Sequence, residues 1–231
     1  MTLRLVTYNV EASARNPEPT LDVIAEAAAD VVLLQETTPA WERELRARFA
    51  ATYAHVAFHH HHRGPGGLAV LSRAPIVVHE LLPPPLLYPA QRLVLATALG
   101  ELQLLNVHLR PANDGGDWVR GWFTTPPLHR REMEAFHPRL DPAYSTIVAG
   151  DFNENALTGQ AIAHLVAHGY TRVATGPTWS YRGRHDGRDV DLEIDLDHVM
   201  LDPGLVAHDA HVLRAGASDH WPVVVTIDQR R

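Results

Sequence analysis

The chain has 231 residues, is 45% hydrophobic and carries a formal net charge of −7. It contains neither cysteine nor lysine, and all 20 basic residues are arginine. Disulfides, thiol chemistry, zinc–thiolate sites, Schiff-base lysines and a P-loop lysine are therefore excluded. The acidic balance disfavours a non-specific electrostatic grip on nucleic acid, although a local basic patch stays open.

Short apolar runs, often β-branched, predict strands at Leu3–Val10, Val31–Gln35, Leu68–Ser72, Leu93–Leu99, Gln103–Leu109, Ser145–Ala149, Asp195–Leu201 and Val223–Ile227. Gly100-Glu101 suggests a hairpin between the fourth and fifth. Helical spacing appears over Thr20–Asp30, after the Thr38-Pro39 cap pair that opens "AWERELRARFA", and over His129–Leu140. Asn155 is placed to cap a helix through His168, with Gly169 as its stop. Early strands alternate with helices and later ones come in hairpins. That order predicts one mixed α/β domain over 1–231 with more than one sheet.

No run reaches the roughly eighteen apolar residues of a membrane span. The N-terminus enters a strand without the features of a signal peptide. A cytoplasmic monomer is the expectation. Three loops, "HHHHRGPGG", "PPPLLYP" and "RPANDGGDWVRGWFTTPP", are long enough to serve function.

The strand ends share a chemistry. They deliver Asn9, Glu36, His108, Asp151 and Asn153, Asp197, and Asp219 with His220. Each alone reads as a turn or surface residue. Together they hold only carboxylates, carboxamides and imidazoles, a set suited to a hard, oxygen-seeking cation and to acid–base chemistry on phosphate.

The motifs "TYNV", "LLQE", "AVLSRAPI", "NVHL", "GDFN", "DLDHV" and "SDHWPV" occur in the order found in the endonuclease/exonuclease/phosphatase superfamily, which the chain resembles over nearly its whole length. The resemblance implies a four-layer α/β sandwich, two mixed β-sheets packed face to face with helices outside. It also implies one site at one end and a divalent metal, Mg²⁺ or Mn²⁺. On that reading Glu36 is the first choice of metal ligand, with Asn9 beside it and Asp219 a further ligand, directly or through water. Asp197 orients His220, which serves as base or phosphate-binding cation. Asp151 positions or deprotonates the water, Asn153 donates its amide to a phosphate oxygen, and His108 stabilises charge or protonates the leaving group. The implied activity is hydrolysis of a phosphomonoester, pyrophosphate or small phosphodiester. The alternatives are a nuclease on DNA or RNA and, ranked low, a non-catalytic binding module.

Some features stand apart. "DVDLEIDLD" sets Asp191, Glu193, Asp195 and Asp197 at period two, so one continuous strand would align all four. A solvated loop or edge strand carrying the first three is the preferred reading. His59–His62 reads as a solvent-facing loop ahead of a second metal site. Trp118, Trp122 and Phe123, with Arg110, Arg120, Arg130 and Arg131 nearby, suit either base stacking or pinning of a long loop. "GPTWSYRG" resembles the branch of the family that includes glycopeptide-resistance phosphoesterases, associated with lipid pyrophosphate.

Overall fold

A computed structural model of the chain describes every residue except 63, 113–117, 186–187 and 231. The side chains of Trp118 and His185 and the middle of the "RPANDGGDWVRGWFTTPP" loop lie outside the described residues.

Two six-stranded sheets form the centre. The first runs β13-β14-β1-β2-β4-β3, from β1 (Leu3–Asn9), β2 (Val31–Gln35), β3 (His55–His59), β4 (Leu68–Ser72), β13 (Leu205–Val212) and β14 (Val223–Gln229). The second runs β5-β6-β7-β8-β12-β9, from β5 (Ile76–Leu82), β6 (Ala90–Thr97), β7 (Gly100–His108), β8 (Ser145–Asp151), β9 (Thr171–Arg172) and β12 (Asp197–Leu201). The pairs β1–β2 and β7–β8 are parallel and their other neighbours antiparallel, so both sheets are mixed. A separate hairpin joins β10 (Trp179–His185) to β11 (Arg188–Ile194).

The apolar patterns explain the layers. In β1, Leu3 and Leu5 face the second sheet, in a cluster that joins Leu33, Val70 and Val225 of the first sheet to Leu93, Leu104, Ile147 and Val199 of the second. The alternate residues, Val6 and Tyr8, pack on α1 (Glu18–Ala27) and α2 (Pro39–Phe49) through Leu21, Ile24, Trp41 and Leu45. The second sheet buries its outer face under α4 (Pro126–Phe136) and α5 (Gln160–Ala167), through Val107, Val148, Met133, Phe136 and Leu165. Central strands are thus buried on both faces and read as continuous apolar runs. The result is the expected four-layer sandwich, helix, sheet, sheet, helix. Among the described residues no helix is long and apolar enough to cross a membrane.

Several boundaries differ from the sequence expectation. The β6–β7 turn is Ala98-Leu99, and Gly100, at φ +90°, opens β7 rather than forming the turn. The helix expected over His129–Leu140 is α4, which starts at Pro126 and ends at Phe136, passing into a 3-10 turn over His137–Arg139. Asn155 does not cap α5. Its Oδ1 accepts from the amides of Leu157 and Thr158 in a local turn, while the Glu154 carboxylate accepts from the amides of Gln160 and Ile162 at the helix start. A carboxylate there also complements the helix dipole. Gly169, at φ +91°, ends the helix as expected. Part of the long loop forms a short helix, α3 (Trp118–Thr124).

Candidate active site

Strand direction gathers the polar ends. β1, β2, β7 and β8 all finish at one end of the sandwich, with Asn9 beside Gln35 and His108 beside Asp151 in register. β12 runs antiparallel to β8, so its first residue, Asp197, pairs with Asp151. β14 runs antiparallel to β1, which brings the preceding Asp219-His220 to the same end. Glu36, His108, Asp151, Asn153, Asp219 and His220 line one cavity of about 380 Å³, and Asn9 and Asp197 bond directly to that lining.

Asp151 is the meeting point. Its Oδ2 accepts from the Asn9 amide at 2.9 Å and lies 3.5 Å from His108 Nε2 and 3.8 Å from His220 Nε2. Its Oδ1 accepts from the backbone amide of Asn153 at 2.8 Å. Gly150 precedes it at φ +146°, where a Cβ would collide with the Val107 carbonyl, so only glycine lets β8 lie this close to β7. Asn153 sits at φ +52° and gives one amide hydrogen to the Leu109 carbonyl at 3.0 Å, leaving the second for another acceptor.

Asn9 ties the sheets together. Its Nδ2 also donates to Glu36 Oε1 at 3.2 Å, and its Oδ1 accepts from the Glu11 amide at 3.0 Å. Its carbonyl is therefore engaged by backbone, and it supports Glu36 by its amide. Glu36 lies at φ +61°, a conformation that costs a glutamate roughly 1–3 kcal/mol. The turn aims its carboxylate into the cavity, where Oε2 accepts from the Ala12 amide at 2.9 Å.

His220 is buried, and its Nδ1 contacts Asp197 Oδ2 at 2.8 Å. Burial alone disfavours the charged ring, but the Asp197 and Asp151 carboxylates and the Asp197 hydrogen bond outweigh it and hold the pKa up at about 10. His108 is also buried, and its Nδ1 meets the Pro65 carbonyl at 2.8 Å, which points Nε2 at Asp151. Asp219 is exposed at the rim and accepts from the Trp179 indole at 2.8 Å.

Sequence reasoning overlooked several supporting residues. Thr178 is fully buried. Its hydroxyl donates to Asp197 Oδ2 at 2.7 Å and accepts from the amides of Leu196 and Asp197. Its place in "GPTWS" was the available signal. Gln35 and Asn106 bridge the two sheets beneath the cavity at 2.7 Å, and Asn106 also reaches the Leu34 and Ala69 carbonyls. His129 contacts Glu154 through Nδ1 at 3.1 Å and the Arg110 carbonyl through Nε2 at 2.6 Å.

Other expectations change. The "HHHHRGPGG" segment is not simply solvent-facing: Pro65 holds His108, Gly67 accepts from the Thr37 amide, and His61 packs on Tyr88, which packs on His108. Its imidazoles divide: His60 turns to Glu42 at 2.6 Å, while the His61 and His62 rings lie 4.2 Å apart. The acidic run is broken between Ile194 and Asp197. Asp191 pairs with Arg182, Glu193 with Arg214 and Asp195 with Arg172, so Asp197 alone of the four enters the site.

Trp122, Trp179 and Tyr181 wall the cavity, with the two indoles 6.5 Å apart and Trp179 stacked on Tyr181 at 6.2 Å. A larger hollow of about 500 Å³ lies across Trp122, lined by Phe123, Asn155, Gln160 and Leu192 among others. Among the described residues none that lines it is titratable.

The profile of the Endonuclease/Exonuclease/phosphatase family matches residues 6–220. The chain belongs to that family. Members of the endonuclease/exonuclease/phosphatase family are hydrolases acting on phosphoesters. A family protein from Beutenbergia cavernae DSM 12333 superposes with a TM-score of 0.73 at 22% identity, over 99% of this chain and 72% of that one. TDP2 from D. rerio, complexed with a single-strand DNA product, gives 0.74 at 17% identity over 98% and 99%. The beta toxin of Staphylococcus aureus gives 0.69 at 14% over 96% and 99%. At these identities the likeness is one of fold. No curated protein sequence matches the chain significantly.

The family is divalent-metal dependent. The residues present fit such a cation. Carboxylates of Glu36 and Asp151 share one amide donor, Asp219 lines the same cavity, and Asp197 Oδ1 is buried with no hydrogen-bond partner among the described residues. Oxygen donors crowded in this way suit a hard cation.

Proposed function

We propose that the chain hydrolyses a phosphate ester, with Mg²⁺ or Mn²⁺, by in-line attack of a water at the cavity where the two sheets meet. The observation that carries this reading is the position of Asp151 Oδ2, bonded to Asn9 of the opposite sheet and facing both His108 and His220.

Glu36 would hold the metal, with Asp219 directly or through water, and Asn9 keeping the Glu36 carboxylate in place. A bound divalent cation neutralises charge on the phosphate and favours its attack. Asp151 orients the water and receives its proton. His220, braced by Asp197 and Thr178, and the free amide hydrogen of Asn153 take up the non-bridging oxygens. His108 offers Nε2 to the phosphate or the departing oxygen, because its Nδ1 is committed to Pro65.

The substrate reading follows from the walls. Among the described residues no arginine lines the cavity, whereas two indoles and a phenol do. This supports a phosphomonoester, pyrophosphate or small phosphodiester bearing a flat or apolar group rather than a duplex polyanion. A second reading is a nuclease on single strands. It is supported by the stacking capacity of Trp122, Trp179 and Tyr181 and by the fold likeness to TDP2, seen with a single-strand DNA product.

The test is a hydrolysis panel of p-nitrophenyl phosphate, its bis-ester, a prenyl pyrophosphate, single-stranded DNA and plasmid DNA, with Mg²⁺ or Mn²⁺. Turnover highest on a small ester supports the first reading. Highest turnover on single-stranded DNA, weakening as salt rises, selects the second. Cleavage of plasmid DNA above all others contradicts the substrate reading in both forms.

A further inference from the structure

A second cluster lies away from the cavity, on the helices covering the second sheet. His137 follows the last residue of α4, and His164 and His168 stand one turn apart at the end of α5. Their ring centroids are 5.3 Å apart for His137–His164, 4.7 Å for His137–His168 and 4.3 Å for His164–His168. One ring nitrogen from each lies within 4.8 Å of the other two. We propose that these three histidines form a site for a borderline transition-metal cation, zinc in the first place, independent of the phosphoesterase cavity.

The geometry suits the ion. Two imidazole nitrogens on one tetrahedral zinc, each about 2.05 Å from it, lie about 3.3 Å apart. His164 Nε2 and His137 Nδ1 are 3.3 Å apart. His168 Nδ1 donates to the His164 carbonyl at 2.8 Å, which leaves its Nε2 lone pair as the donor. That backing of a ligand ring by a backbone carbonyl is the usual support for a metal-bound histidine. His164 and His168 share a helix face by their spacing of four.

The electrostatics agree. Burial, then the neighbouring imidazoles, hold His137 and His164 below the ordinary histidine range, so the rings are neutral ligands. Glu134, the carboxylate acting on His164, is paired with Arg130 at 2.7 Å. An imidazole-only set selects zinc, copper or nickel over magnesium. His168 is exposed and the other two half-buried, so an ion enters from solution and a water completes its shell. Bound there, it clips the end of α4 to the last turn of α5.

The experiment is zinc binding by competition with a chromophoric chelator, in saturating Mg²⁺ to fill hard-cation positions. It compares wild type with His164→Gln, His168→Gln and a control in which His60, His61 and His62 are all glutamine. Wild type and control should share one zinc equivalent that both cluster variants bind at least about tenfold more weakly. Zinc, and not extra Mg²⁺, should raise the wild-type Tm by about 5 °C and leave that of His168→Gln unmoved. Because His168 is exposed, that variant keeps the fold, which circular dichroism checks. Equal zinc stoichiometry and affinity in wild type and both cluster variants overturns the proposal, as does loss of the equivalent in the control alone.

Discussion

Asn9 and Asp151 are 142 residues apart in sequence and 2.9 Å apart in space, one closing a strand of the first sheet and the other a strand of the second. The candidate site is built on that seam. Asp197 and His220 cross it again at 2.8 Å. The geometry of the candidate site thus depends on how the two sheets are set against each other, as well as on the residues at their ends.

Asp197→Asn removes the charge that braces His220 and leaves the ring's shape in place. Activity on the preferred ester should fall by about 10²- to 10⁴-fold with little change in KM. Steady-state kinetics of the variant checks this. His220→Gln should lose as much, and the double variant little more, because residues acting as one unit are not additive.

Glu36→Gln keeps the side chain's size, removes its charge and turns an NH2 toward one of the two donors the carboxylate now accepts from, Asn9 Nδ2 or the Ala12 amide. The Mg²⁺ concentration for half-maximal rate should rise by at least about tenfold, while the Tm without metal should fall by no more than about 4 °C, the cost of one lost hydrogen bond. A metal titration of the rate, with thermal melts alongside, separates ligand loss from damage to the fold.

Asn106 carries the buried bridge between the sheets. Asn106→Ala removes the bonds to the Leu34 and Ala69 carbonyls and one of the two that the Gln35 amide makes, leaving the other to Thr7. A cost of roughly 2–3 kcal/mol is expected in urea unfolding. Activity should fall as well, through loss of register rather than chemistry.

His129 and Glu154 form a buried pair under the loop after β7. Burial disfavours the charged ring, but the Glu154 hydrogen bond and charge, aided by the Arg110 carbonyl, outweigh it and raise the pKa. A raised folded pKa stabilises fully below the unfolded value of about 6.5 and is lost as pH rises through the folded one. His129→Gln should therefore cost about 3–5 kcal/mol near pH 6 and clearly less in alkali. Unfolding curves for both proteins at several pH values test the sign.

What the sequence disclosed follows burial. β1, β2, β4, β7 and β8 are covered on both faces, and their continuous apolar runs are unmistakable. The edge strands β3, β5, β9 and β13 went unseen, because an edge strand is half exposed and mixes histidine and acid with small apolar residues, as in "LVAHDAHV". Of the β10–β11 hairpin, only a solvated loop or edge strand carrying Asp191 and Glu193 was legible. The candidate residues were legible because each stands at a strand end within a short motif. Thr178 and Asn106 were not, because a buried hydrogen bond to a distant backbone leaves no periodic trace. The histidines at 137, 164 and 168 meet only once two helices are packed.

The most direct measurement is hydrolysis of the preferred phosphate ester by EDTA-treated protein, before and after Mg²⁺ or Mn²⁺ is restored, beside Asp151→Asn under the same conditions. No turnover is expected in EDTA, with recovery when the metal is restored and a loss of about 10³-fold or more in the variant at every metal concentration. Turnover that persists in EDTA, or an Asp151→Asn protein as fast as wild type, would contradict it.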